Sequence, residues 1–156
     1  MRRRAAIVAA AVLCSAVCTW AEAGAHVVAV VPFEAAGVSQ EDADAFTARF
    51  AETLAAGGTV SAADNRAVGA LLARQGLAAS DLMDAERASS FAAESGADFL
   101  VVGKLFALGN MAGAFVTMIG GNPAAASVAV RQAESMDALM TAVPGLCAEL
   151  LGNAAE

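Results

Sequence analysis

The chain has 156 residues, of which 58% are hydrophobic and 16% charged, and its formal net charge at pH 7 is −7. That length suits one domain, and the composition is too apolar for an intrinsically disordered chain. The basic residues are few and scattered, which excludes nucleic acid as a partner, because a phosphate backbone would be repelled rather than neutralised.

Residues 1–23 read as a signal peptide. Arg2, Arg3 and Arg4 form a positive n-region, Ala5 to Val17 an apolar h-region, and Ala21-Glu22-Ala23 the small-x-small pattern of a signal-peptidase site. The apolar run is too short for a transmembrane anchor. Residues 24–156 are then a single α/β domain. Cleavage after Ala23 removes three arginines and Glu22, leaving six basic and fifteen acidic side chains and a formal charge of −9. Cys14 and Cys18 keep a rival open: lipidation at a lipoprotein box, the one route to membrane association. Such a box needs a small residue before the cysteine, and Leu13 and Val17 stand there instead. A free Gly24 at the mature N-terminus would end the lipid hypothesis. Cleavage after Ala23 leaves Cys147 without an internal disulfide partner, and it is expected to be a buried small apolar side chain.

Val27-Val28-Ala29-Val30-Val31 is continuously apolar rather than alternating, the pattern of a central strand covered on both faces. Pro32 removes a backbone donor and marks the end of regular pairing, and Glu34 to Val38 is predicted as a loop. Ser39 caps a helix whose inward face is Ala43, Phe46, Phe50 and Leu54, and Gly57-Gly58 ends it in the left-handed conformation. Thr59 to Ala62 is a short strand. Asp64 caps a second helix with Val68, Leu71 and Leu72 inward and Gly76 as its stop. Asp84 caps a third, from about Ala85 to Ser95, with Ala88, Phe91 and Ala92 inward and Gly96 at its end.

Ala97 to Phe106 is the second strong strand signal, and Gly103 inside it points to a bulge or a close backbone approach. Gly109-Asn110 is a turn, Ala114 to Ile119 a strand, Gly120-Gly121-Asn122-Pro123 a turn, and Ala126 to Val130 an antiparallel return, which makes a hairpin over residues 111–131. Ser135 caps a last helix carrying Leu139, Met140, Val143, Leu146 and Leu150, kinked or broken at Pro144-Gly145. The predicted fold is α/β, a mixed sheet of about four or five strands packed with about four helices.

No residues converge on a catalytic, cofactor-binding or metal site, and the partner-binding residues are not identifiable at this level. His26 is the single histidine and lies beside the new N-terminus, a poor place for a positioned base. One histidine and one distant cysteine are not a metal-ligand spacing. Gly120-Gly121 lacks the further glycine, lysine and helix of a phosphate loop. Phe46 and Phe50 could stack on a ligand, but at helical spacing they read as core. Asp98 is the acid to watch, and its plain role is an Asx-type bond closing the Gly96 turn.

Several motifs occur in a telling order. Val28-Ala29-Val30-Val31-Pro32-Phe33 opens the domain, an amphipathic helix follows, and the Ala67 to Gly76 helix contains Leu71-Leu72-Ala73-Arg74-Gln75. The acidic segment Ser80 to Asp84 comes next, then Gly96-Ala97-Asp98-Phe99-Leu100-Val101-Val102-Gly103. Over roughly residues 27–106 this resembles a group of bacterial envelope domains: the TolB N-terminal domain, the LpoB-type activators of penicillin-binding proteins, and the CsgG-type curli secretion proteins. The resemblance fades at Met118 to Ala126, where Gly-Gly-Asn-Pro and alanines replace the group's threonine-glycine turn.

The resemblance implies a periplasmic protein-interaction module without catalysis or cofactor, outer-membrane-associated if lipidated. Its partner would be an envelope protein, a penicillin-binding protein or an outer-membrane assembly component. A subunit of a curli-type outer-membrane secretion complex is the alternative, and it needs spanning strands of about 9–11 residues with apolar outward faces. A carboxylate-dependent hydrolase using Asp98 ranks below both.

Overall fold

In the computed structural model residues 26–58, 60–120 and 126–154 are described. Residues 1–23, read above as a signal peptide with Cys14 and Cys18, lie outside them, as do Thr59 and the part beyond Gly120 of the turn expected at Gly120-Gly121-Asn122-Pro123.

The apolar run forms β1 (His26–Val30), and β4 (Phe99–Leu108) pairs parallel to it, with Val28 opposite Phe99 and Val30 opposite Val101. β3 (Val60–Ala62) lies parallel on the other side of β1. β5 (Met111–Gly120) and β6 (Ser127–Ala133) continue the sheet antiparallel, so the order is β3-β1-β4-β5-β6. The expected mixed α/β sheet is the fold found. Val28 to Val30 on β1 and Leu100 to Val102 on β4 are buried on both faces, as their unbroken apolar sequence requires.

One segment differs from expectation. Glu34–Ala36 is a strand, β2, rather than a loop, and it too pairs parallel with β4. Pro32 interrupts the ladder without ending it. Pairing resumes with Glu34 opposite Lys104, so residues 31–33 span the length that residues 102–103 span on β4. The extra residue makes this a bulge. Phe33 turns inward there, and its N–H donates to the Thr47 hydroxyl at 3.0 Å, which in turn donates to the Ala43 carbonyl at 2.8 Å. A buried donor displaced from the ladder is thereby satisfied. Gly103 answers both halves of its prediction. It sits opposite the bulge, and a Cβ on it would collide with the Phe33 ring and lie 2.9 Å from the Phe115 carbonyl oxygen.

The helices follow their caps. α1 (Gln40–Ala56) starts where the Ser39 hydroxyl accepts from the Asp42 N–H. α2 (Asn65–Gln75) and α3 (Ala85–Ser95) start at Asp64 and Asp84, whose carboxylates accept from first-turn N–H groups, and a 3₁₀-helix (Ala79–Met83) lies between them. After α1 it is Gly58, at φ 72°, that takes the left-handed conformation, while Gly57 stays helical. The last helix is two: α4 (Met136–Thr141) and α5 (Val143–Ala154). Pro144 has no N–H to continue the ladder, so the chain restarts with the proline in the first turn of α5.

Each sheet face carries its own core. Under α1, α4 and α5 lie Val28, Val30, Phe33, Phe46, Phe50, Val101, Leu105 and Leu146. The Phe33 ring packs edge-on against Phe46 at 5.0 Å and tilted against Phe50 at 5.5 Å. Under α2, α3 and the 3₁₀-helix lie Ala29, Val31, Leu71, Leu82, Phe91, Leu100, Val102 and Ile119. The second layer covers less of the sheet than the first.

Candidate functional site

Successive strand residues point to opposite faces, so β5 and β6 each present two rows. One row, Ala112, Ala114, Val116, Met118 and Ala129, is buried in the core shared with α4 and α5. The other row contains Met111, Gly113, Phe115, Thr117 and Ile119 on β5, with Val128 and Val130 on β6. α2, α3 and the 3₁₀-helix reach only its Ile119 end. Of the rest, Gly113 lies under Phe106 and Thr117 is buried, while Met111, Phe115, Val128 and Val130 are exposed.

The exposed large apolar side chains among the described residues are Met83, Leu108, Met111, Phe115, Val128 and Val130, between 37% and 71% exposed. All six belong to this one side. Leu108 is opposite Met111 in the ladder, and Phe115 is opposite Val130. Met83 ends the 3₁₀-helix at the border of the covered area. Scattered exposed hydrophobics are ordinary, but six gathered on one face form a patch of the kind that marks an interaction surface. Phe106 lies across Gly113, where a Cβ would strike its ring, so this glycine gives the aromatic ring its seat on the face.

At the border of the patch is a slot of about 250 Å³ lined by Ala79, Ser80 and Met83 on one side, Phe115 on the other, and Val102 and Gly103 beneath. Glu34 and Lys104 also line it. They are register partners on β2 and β4 and both are exposed, yet neither side chain makes an ion pair or hydrogen bond among the described residues. Lys104 is the single lysine of the sequence.

The sequence-level candidates lie elsewhere. Asp98 holds β1 to β4: its carboxylate accepts from the Val27 N–H at 2.8 Å, and its own N–H donates to the Val27 carbonyl at 2.8 Å. The structural role expected for it stands, but the partner is the neighbouring strand and not the Gly96 turn. That turn is closed by backbone, with the Gly96 and Ala97 N–H groups donating to Ala93 and Ala92. His26 lies 3.7 Å from Asp98 and edge-on to Phe99 at 5.3 Å, with both side chains of the His26 and Asp98 pair more than half exposed. No group of three metal-ligating side chains occurs among the described residues. Phe46 and Phe50 are core.

Cys147 is buried against α1, its thiol directed at the Phe50 carbonyl, and burial pushes its pKa up from 9.0 to about 12. The neutral thiol is therefore favoured by the folded state. The stability this confers is complete below pH 9 and is lost as pH rises towards 12. The chain has no tyrosine, so Cys147→Ala should flatten the alkaline limb of a denaturation series between those values. In a chain beginning at Gly24, where Cys147 is the single cysteine, the same thiol should resist a thiol reagent at pH 8 until denaturant is added.

The open face was not readable from sequence because β5 and the first half of β6, Val128-Ala129-Val130, are apolar on both faces. A strand that reads so is normally covered twice, and only the count of helices left to cover it reveals otherwise. β6 held the available signal: Val128 and Val130 flank Ala129 at the edge of the sheet.

No protein-family model and no curated protein sequence matches the chain. Solved structures do. The lipoprotein GNA1162 from Neisseria meningitidis superposes with a TM-score of 0.58 at 13% identity, over 69% of this chain and 79% of that one. LpoB from E. coli superposes with a TM-score of 0.54 at 17% identity, over 70% of this chain and 58% of that one. Likeness at such identities is likeness of fold, and the resemblance carried by the ordered motifs of residues 27–106 holds at that level: this chain has the α/β fold of an LpoB-type envelope domain.

Proposed function

We propose that the chain is an exported, non-enzymatic interaction module of the bacterial cell envelope, which docks a protein partner on the open face of β4, β5 and β6. The observation that carries this is the gathering of all six exposed large apolar side chains on that face. Methionine and phenylalanine are the residue types that interface centres favour, and both are present. The LpoB-type fold supports a partner in cell-wall synthesis, a penicillin-binding protein, with an outer-membrane assembly component as the other member of the class. The acting protein is periplasmic, and outer-membrane-associated if Cys14 or Cys18 carries lipid. One face of β5 and β6 is already buried under helices, so the hairpin lends no support to a membrane-spanning role in a curli-type channel.

The test pairs wild type with Val128→Asp/Val130→Asp in binding to purified penicillin-binding proteins and in recovery from envelope extracts. Both valines are about half exposed (48% and 49%), so the double variant should fold, with stability reduced by about 1 kcal/mol or less. Binding should fall at least tenfold. Failure of wild type to hold any envelope protein, or equal binding by the variant, overturns the proposal. The mass of the mature N-terminus, run beside it, decides between free Gly24 and a lipid.

A further inference from the structure

Resting on that docking reading, we infer that the slot between the 3₁₀-helix and Phe115 takes a single apolar anchor side chain of the partner. The anchor is flanked in the partner's own sequence by an acidic residue on one side and a basic residue on the other. The size of the slot sets the first half of the claim. At about 250 Å³ it is below the range of roughly 300–1,000 Å³ typical of small-molecule and cofactor sites, but it holds one aromatic or long aliphatic side chain. Its walls suit that occupant. Met83 is an unbranched thioether that adapts to shape, Phe115 offers a ring face, and Val102 is an apolar floor.

The charges set the second half. Glu34 and Lys104 stand opposite one another on adjacent strands, the position where unlike charges ordinarily pair across a sheet. Here they remain apart, one carboxylate and one ammonium, both solvated and both at the slot. By contrast, Arg87 with Asp81 and Arg131 with Glu149 close as ion pairs at 3.2 and 2.9 Å. An unpaired acid and base beside an apolar slot can each take an opposite charge from the same ligand. For a segment whose backbone runs one way through the slot, they also disfavour the reverse order of charges, since both contacts would then be repulsive. The net charge of the chain would steer any cationic partner towards it but cannot select an order of charges. The Glu34 and Lys104 pair can.

The experiment titrates the isotope-labelled full chain with three capped tripeptides, acetyl-Asp-Phe-Arg-amide, acetyl-Arg-Phe-Asp-amide and acetyl-Gln-Phe-Gln-amide, following the amide signals of Ser80, Met83, Val102 and Phe115. One charged order should shift these signals with an affinity about tenfold above the reversed peptide, and the neutral peptide should fall between. The swap Glu34→Lys/Lys104→Glu, at two exposed positions, should invert that preference, with an unchanged melting temperature as its control. Equal binding of both orders, a preference that survives the swap, or shifts only at Val128 and Val130 would overturn the slot. None of these results touches the docking reading, which stands or falls on Val128→Asp/Val130→Asp. If the partner is lost in that variant while the swap leaves the peptide order unchanged, the face docks and the slot does not read charge.

Discussion

Val30→Asp leaves no folded protein. Val30 has no exposed surface, and it lies in the ladder opposite Val101 with the α1 aromatic cluster on its face of the sheet. An aspartate there must either bury a charge or be protonated to remain. The loss of valine burial adds about 1.5–3 kcal/mol, and an unpartnered buried carboxyl costs several kcal/mol more. A domain of this size has about 5–15 kcal/mol in total. Far-ultraviolet circular dichroism and amide dispersion should both be those of an unfolded chain. The informative control is Val130→Asp, the same replacement at a side chain 49% exposed, which should remain folded. A folded Val30→Asp would displace the core from β1.

Gly103→Ala is the second large effect, and it comes from addition rather than removal. The new methyl group would enter the Phe33 ring and crowd the Phe115 carbonyl oxygen at 2.9 Å, and neither neighbour moves freely. Phe33 is locked between Phe46 and Phe50, and Phe115 belongs to the central ladder. Overpacking of this kind costs about 3 kcal/mol. Phe33→Leu alone should lose about 1–2 kcal/mol, as a shape change in the core. Combined, the two should lose less than their sum, by about 1 kcal/mol or more, because the smaller side chain makes room. Urea denaturation of the four proteins reads the coupling directly. Additivity would mean that the ring does not occupy the space above Gly103.

What could be read from sequence was whatever is decided locally. The caps at Ser39, Asp64, Asp84 and Ser135 bond to N–H groups two or three residues on, and the helices begin where those residues predict. The stops at Gly76 and Gly96 depend on their own φ, and both are left-handed. The aromatic pair of α1 followed from helical spacing, and the burial of Cys147 from the ordinary behaviour of a lone cysteine as a small apolar side chain. β2 was missed because Glu34-Ala35-Ala36 has no β-branched residue and no alternation. It is a strand because β4, seventy residues further on, continues past the proline. The acceptor role of Asp98 was misassigned for the same reason: its partner Val27 lies 71 residues away. The open face depends on how far α2, α3 and the 3₁₀-helix extend over the sheet, which is a matter of three-dimensional coverage and leaves no mark on any short window.

The position of β4 has a kinetic consequence. Its pairing with β5, and that of β5 with β6, joins residues close in the chain, so the hairpins can close within microseconds of being available. β1 is placed differently. His26 is 34 residues from its ladder partner Val60, and Val28 is 71 residues from Phe99. Closing loops of that length is slow compared with forming local pairs. In a chain delivered N-terminus first, the apolar strand therefore arrives before either neighbour, and its β4 side must remain unpaired until more than half of residues 24–156 has followed. Until then Val27 to Val31 can associate with other chains, and the risk falls as the time taken to deliver β4 shortens.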